Sequence, residues 1–192
     1  MQDTAITATR AQAGVEVPSQ GTWELDLTHT TITFEVRHMM ISKIRGSFGA
    51  ANGTILVAED PFESVVDIAI DVASVETGTE DRDNHLRSPD FFNVDAYPLM
   101  TFKSTSVEPA GDAYTMKGDL TIKDVTRPVT LDFEFTGGLI DPYGNSRAAF
   151  TTSFEVDRED WGLTWNMPLE TGGVLVGKKI NVSIDTEATR VG

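Results

Sequence analysis

Three histidines and one arginine hold most of the chemistry that residue type and spacing allow in this chain: His29, His38, His85 and Arg82. His38 ends an apolar/polar alternation in phase with Phe34 and Val36, so its imidazole is expected to point inward near one end of whatever those strands enclose. Arg82, His85 and Leu86 are three and four apart, which on a helix puts them on one face, with Leu86 marking the buried side. A polar or phosphate-bearing group could meet His38, Arg82 and His85 together, because guanidinium suits anions and imidazole both donates and accepts. The same residues also fit a purely structural role, with Arg82 paired to a nearby carboxylate and the histidines bonded to backbone carbonyls. A third use, acid/base catalysis by His38 and His85, stays open.

Other chemistries have weaker footing. The chain has no cysteine, which excludes disulfides, thiolate nucleophiles, zinc–thiolate sites and iron–sulfur clusters. No pair of histidines has close ligand spacing and His29 falls in an expected turn, so neither metal nor cofactor is expected. No Ser/His/Asp constellation stands out. Gly172-Gly173-Val174-Leu175-Val176-Gly177-Lys178-Lys179 approaches a phosphate-binding loop, but Lys179 replaces the hydroxyl residue and a strand pattern follows where a helix is needed. The formal charge of −15 disfavours nucleic acid and anionic membranes, and no apolar run approaches the length of a membrane span. Met1 to Gln20 is polar without an apolar stretch, so no secretory signal is read and the expected location is the cytoplasm. Residues 1–20 are expected to be a flexible arm or an added edge strand, and 21–192 a single domain.

The elements that must position these groups are strands. From Trp23 to Glu187 the chain runs as about ten stretches of period-two alternation, which means strands with one dry and one wet face. Hairpins are expected at Thr28-His29-Thr30, at Asn52-Gly53, at Pro109–Asp112, at Lys123–Thr126 and at Asp141–Asn145. Met39 to Ile44 reads as a short apolar link with one helical turn. One helix is expected near residues 79–87, with Thr77 and Glu80 as a capping box and Asp81 and Asp83 in its first turn. Ser88-Pro89 and the adjacent Phe91-Phe92 extend this segment across one end of the sheet as a lid. Strands joined in order by short turns make an antiparallel meander. Closed, it is an all-β, up-and-down, lipocalin-like barrel of about eight strands.

Several stretches resemble the YceI-like family. They are Trp23-x-x-Asp26-x-x-His29-Thr30-x-x-x-Phe34-x-Val36-x-His38, Gly46-Ser47-Phe48 and Arg82-Asp83-x-His85-Leu86-x-Ser88-x-Asp90-Phe91-Phe92. Further on come Tyr97-Pro98-x-Met100-x-Phe102-x-Ser104, the hairpin Gly118 to Thr126, and Arg158-x-x-Trp161-Gly162-Leu163. The resemblance implies an extended lipocalin-like barrel binding a polyisoprenoid, isoprenoid quinone or similar amphiphile inside, in many members as a homodimer and outside the cytoplasm.

A long-chain lipid would lie along Phe34, Val36, Phe48, Ile68, Ile70, Leu86, Phe91, Phe92, Phe102, Leu120, Phe133, Phe150, Phe154 and Trp165. Apolar alternation always makes a core, so these residues also fit a filled barrel serving only as an interaction module. Trp161 and Trp165 would plug or line one end, or simply pack their loop. The leading expectation is a non-enzymatic carrier, with an enzyme of isoprenoid or quinone metabolism as the rival.

Overall fold

A computed structural model describes residues 7–12, 14–110, 113–170 and 172–191. In chain order the strands are β1 (Thr9–Gln12), β2 (Val15–Pro18), β3 (Gly21–His38), β4 (Ser42–Phe48), β5 (Ala51–Val57), β6 (Val65–Asp71) and β7 (Val75–Glu76). After the helix α1 (Glu80–Arg87) come β8 (Leu99–Ala110), β9 (Ala113–Ile122), β10 (Val125–Ile140), β11 (Ser146–Asp157) and β12 (Val176–Val191). Every pairing is antiparallel, and β12 returns to pair with β3. That last pairing closes β3, β5, β6, β8, β9, β10, β11 and β12 into an eight-stranded barrel.

The first expected hairpin does not form. Residues 21–38 are one strand, and both halves lie against β12, from Trp23 opposite Arg190 to Val36 opposite Ile180. Thr28-His29-Thr30 is absorbed as an irregularity beside the register shift at Asp185/Glu187. Asp26 accepts from the Thr28 N–H at 3.0 Å, and the Thr30 hydroxyl donates to the Asp26 carbonyl at 2.8 Å. These local bonds satisfy the backbone without turning the chain back.

The chain reverses instead at Met39-Met40-Ile41, where an apolar link with a helical turn was expected. Met39 and Met40 take left-handed φ values of 51° and 64°, and His38 then pairs with Ser42. Asn52-Gly53 is likewise extended strand, not a turn. β4 and β5 run on past β3, β4 against its second half and β5 against its first. Glycine is needed at 53 for room: a Cβ there would lie 2.9 Å from both Ile68 Cγ1 and Leu25 Cδ1.

Two caps cover the barrel ends. Where an arm without periodicity was expected, β1 and β2 form a hairpin of their own, pairing Thr9 with Pro18 through Gln12 with Val15. Residues 1–6 and 13 of that arm lie outside the described residues, as do Gly111 and Asp112 of the expected turn at Pro109–Asp112. Ala8 and Val17 are buried with the barrel core, and Arg10 Nη2 donates to the Ala58 and Glu59 carbonyls. Trp23, 1% exposed, donates its indole N–H to the Ser19 carbonyl and ties this cap to β3.

The opposite end is crossed by α1, residues 88–98 and the irregular stretch after β11. The capping box is not the device that starts α1. Thr79 is the N-cap and makes no side-chain cap bond. Asp83, 6% exposed, reaches back instead and accepts from both the N–H and the hydroxyl of Thr77.

Glycine placement lets aromatic rings lie flat along the inner wall. An added Cβ at Gly46 would sit 2.4 Å from Phe34 Cζ, and at Gly118 2.4 Å from Phe102 Cζ and 2.7 Å from the Lys103 carbonyl. The Gly118→Ala substitution is therefore expected to cost about 1–3 kcal/mol, measured by urea unfolding, and to displace the Phe102 ring.

On the outer surface Arg147 binds three elements together. Its Nε donates to Asp141 at 2.9 Å, and its Nη1 donates to Asp26 and, at 3.2 Å, to Glu187. The Arg147 bond, followed by Thr28 and His29, holds the Asp26 carboxyl well below its ordinary value. Arg147 and the Asn145 backbone N–H do the same for Asp141. A carboxylate depressed in the folded state contributes stability that is complete above its unfolded pKa and lost as pH falls through the folded one. The thermal midpoint should thus drop on acidification below about pH 4. Arg147→Gln should lower it by several degrees at pH 7 and flatten the acid limb.

Candidate functional site

The barrel encloses a cavity of about 300 Å³. Its wall is built by the period-two alternation: Phe34, Val36, Ile68, Ile70, Phe102, Leu120, Phe133, Phe150 and Phe154 all point into it. Val17 and Pro18 of the N-terminal hairpin contribute at one end, and Leu86, Phe91 and Phe92 of the lid at the other. Cross-strand partners such as Phe34/Val182, Ile32/Ile184 and Phe102/Leu120 share the inner face, as the pleat requires. Several inward rings, among them Phe102, Phe133, Phe150 and Phe154, are only partly buried because open space lies beside them. A filled barrel would bury them fully. Such a volume lies at the small end of the range typical of ligand pockets, about 300–1,000 Å³, and its apolar wall gives water few partners. The arrangement can therefore take an apolar ligand.

Of the fourteen residues expected to contact a hydrocarbon tail, thirteen line this cavity, including Phe48, Leu86, Phe91 and Phe92. Trp165 does not. Its ring stands edge-on to His85 at 4.6 Å between centroids and tilts against Phe91 at 5.4 Å. It packs the late loop onto the lid.

The three expected head-group residues lie outside the cavity wall. His38 closes the hairpin with Ser42, its side chain beyond the inner apolar layer. Arg82 donates from Nε to the Thr77 hydroxyl at 2.7 Å and from Nη2 to the Thr77 carbonyl at 2.9 Å. His85 Nε2 lies 2.9 Å from Asp90 Oδ2, and its ring rests on Phe91 and Trp165. Leu86 turns inward while its neighbours on the expected face hold the lid's own backbone and loops. Helical spacing places residues on one side of a helix, but a helix lying over a barrel mouth presents that side partly to its own flanking loops. The structure places His38 and His85 outside the lining of the cavity.

One polar residue of the wall, Arg158, stands in the sequence only within the family-like stretch Arg158-x-x-Trp161-Gly162-Leu163, with no role assigned to it. Arg158 opens the short 3₁₀ turn Arg158–Trp161 after β11 and is 5% exposed. It is the one charged side chain of the cavity wall among the described residues. Burial pushes its pKa below the ordinary arginine value. Alternation cannot find it, because the strand ends at Asp157 and the turn redirects the next side chain. Trp161 beside it is buried and donates its indole N–H to the Leu120 carbonyl at 3.0 Å, which fixes the late loop to β9.

A second cluster lies outside the barrel. Donor atoms of Asp26, His29 and Glu187 lie within 4.8 Å of one another. The Arg147 guanidinium already reaches Asp26 and Glu187 and supplies the shared positive charge, so the cluster ties strands together. The glycine-rich stretch at 172–179 leads into β12, a strand, as its pattern indicates. No helix among the described residues is long and apolar enough to cross a membrane.

Comparison with known proteins agrees with this geometry. Residues 23–188 match the family described as "YceI-like domain". A UPF0312 protein of Pectobacterium atrosepticum is 36% identical over 158 residues, covering 82% of each chain. The crystal structure of a Campylobacter jejuni YCEI protein is 30% identical, with a TM-score of 0.69 over 81% of this chain and 90% of that one. A polyisoprenoid binding domain from Saccharophagus degradans, implicated in plant cell wall breakdown, has the same fold at 14% identity, with a TM-score of 0.66 over 90% and 100%. On the barrel, its hollow interior and a family match that spans nearly the whole of both, the chain belongs to the YceI-like domain family.

Proposed function

We propose that the protein is a non-enzymatic carrier that shelters the tail of a long apolar amphiphile, a polyisoprenoid or isoprenoid quinone, inside its barrel. The observation that carries this reading is the hollow itself: about 300 Å³ running between two end caps, with a wall almost wholly of Phe, Val, Ile, Leu and Met side chains. Membership of the YceI-like domain family supports it. The polyisoprenoid-binding description of the Saccharophagus degradans domain supports the ligand class.

The energetics suffice. One isoprene unit carries five carbons, and at about 0.8 kcal/mol per buried methylene its transfer from water gains about 3–4 kcal/mol. Two or three units offset the cost of association, roughly 4–15 kcal/mol, without any charged contact.

Native mass spectrometry of protein purified without detergent should show a retained amphiphile, released unchanged by organic extraction. Ile184→Trp, which puts a bulky indole in place of an aliphatic side chain in the cavity wall, should cut uptake of geranylgeraniol by about tenfold or more, that is by at least 1.4 kcal/mol. Repeated failure to recover any amphiphile, together with no uptake of prenyl compounds by the wild type, would rule the carrier reading out.

A further inference from the structure

Arg158 is held in an unusual way. Its Nε donates to the Gly177 carbonyl at 3.0 Å and its Nη1 to the Leu163 carbonyl. These two bonds fix the guanidinium plane between the foot of β12 and the late loop. Its Nη2 is buried and has no hydrogen-bond partner among the described residues. Neither neighbouring carboxylate serves it: Asp157 accepts from the Glu159 N–H, and Glu159 pairs with Lys178 at 2.6 Å. A buried donor without an acceptor is costly, more so for a charged group, and such groups in folded proteins call for a physical explanation. The rest of the cavity wall offers this donor only apolar side chains and a few hydroxyls.

We propose that Arg158 is the polar anchor of the bound molecule, its Nη2 donating to an oxygen of the ligand's head at the lid end while the tail runs toward the N-terminal hairpin. The inference rests on the carrier reading and adds to it a polarity and a chemical class. The ligand carries a hydrogen-bond-accepting oxygen at one end, either a neutral carbonyl such as that of a quinone or an anionic phosphate. A fixed fork with two arms already engaged is preorganised for the third contact, so little side-chain entropy is lost on binding. Arg158, Gly177 and Leu163 all lie on the side of the barrel where α1 and Phe91-Phe92 cross, so a head seated there is covered by the lid. The position also explains why His38, Arg82 and His85 have no part in the wall: the polar contact is made from the late loop, beneath the lid rather than by it.

The experiment compares three probes on the wild type and on Arg158→Met: decyl-ubiquinone, geranylgeranyl monophosphate and squalene, which has no head. Binding is followed by quenching of tryptophan fluorescence, with circular dichroism confirming the barrel. Arg158→Met should weaken whichever oxygen-headed probe the wild type prefers by tenfold or more and leave squalene within about twofold. Preference for the quinone identifies a neutral carbonyl head, and preference for the monophosphate an anionic one. If Arg158→Met does not fold, the side-chain ¹⁵N and ¹H resonances of Arg158 in the wild type decide. A shift with the headed probe and none with squalene supports the anchor. An unchanged affinity in Arg158→Met, or unmoved Arg158 resonances on saturation with a headed probe, overturns the anchor and leaves the carrier reading standing. Failure of all three probes to bind the wild type overturns both.

Discussion

The pairing of β12 with β3 is the constraint on which the rest of the structure depends. A meander of long strands carries one apolar face and two raw edges. Left open, it would expose both, and the edges would invite pairing with other chains. Closing the last strand onto the first removes the edges and turns the apolar face into an interior. The length of β3 makes this possible, because its 18 residues span nearly the whole of β12 and offer their other side to β5 and then β4. The irregularity at residues 26–31 switches the inward phase from odd to even positions, so that Trp23 and Leu25 near one end and Ile32, Phe34 and Val36 near the other all belong to the core or the cavity wall. Arg147 reinforces the same seam from outside by joining Asp26 on β3, Glu187 on β12 and the turn at Asp141.

Closure leaves two mouths, and each is covered by a segment pinned through backbone carbonyls. The N-terminal hairpin is tied by Arg10 to residues 58 and 59 and by the Trp23 indole to Ser19. At the other end Arg87 donates to the Ala73 and Val75 carbonyls, and Arg82 to that of Thr77. His85, Phe91 and Trp165 then stack the lid against the late loop. Arg82, His85 and Trp165, expected to meet a ligand, thus hold the lid in place instead. The interior is left apolar, and the single charged wall residue among the described residues, Arg158, arrives from the loop rather than from the lid.

Much of this was legible in the chain. Period-two alternation gave the all-β class and the antiparallel meander, and the ten strand residues expected to face inward all line the cavity, because the pleat fixes which side chains share a face regardless of what the strand pairs with. The helix near 80–87 was visible from its acidic start and its spacing. Turns were read less well. Asn52-Gly53 has the chemistry of a tight hairpin, yet the chain there continues past a long partner, and its glycine answers to the nearness of Ile68 and Leu25. Met39-Met40-Ile41 has none of the usual turn residues, yet it reverses the chain, with Ile41 81% exposed. Local preference is worth about a kilocalorie per residue, and the ladder bonds and burial gained by the full-length β3–β12 pairing outweigh it.

The sequence by itself determined the inward face of each strand and the apolar character of the interior, because both follow from side-chain order along a pleated backbone. It could not determine whether that interior is filled or hollow, since volume depends on the number of strands that close and the tilt at which they do so, neither of which is a local property. Nor could it decide which polar groups reach the hollow. Arg82 and His85 are held by Thr77 and Asp90, on the segments that flank α1, and His38 lies in the β3–β4 hairpin against Ser42, while Arg158 is brought to the wall by two carbonyls, one on the late loop and one on β12, that only the folded chain sets side by side.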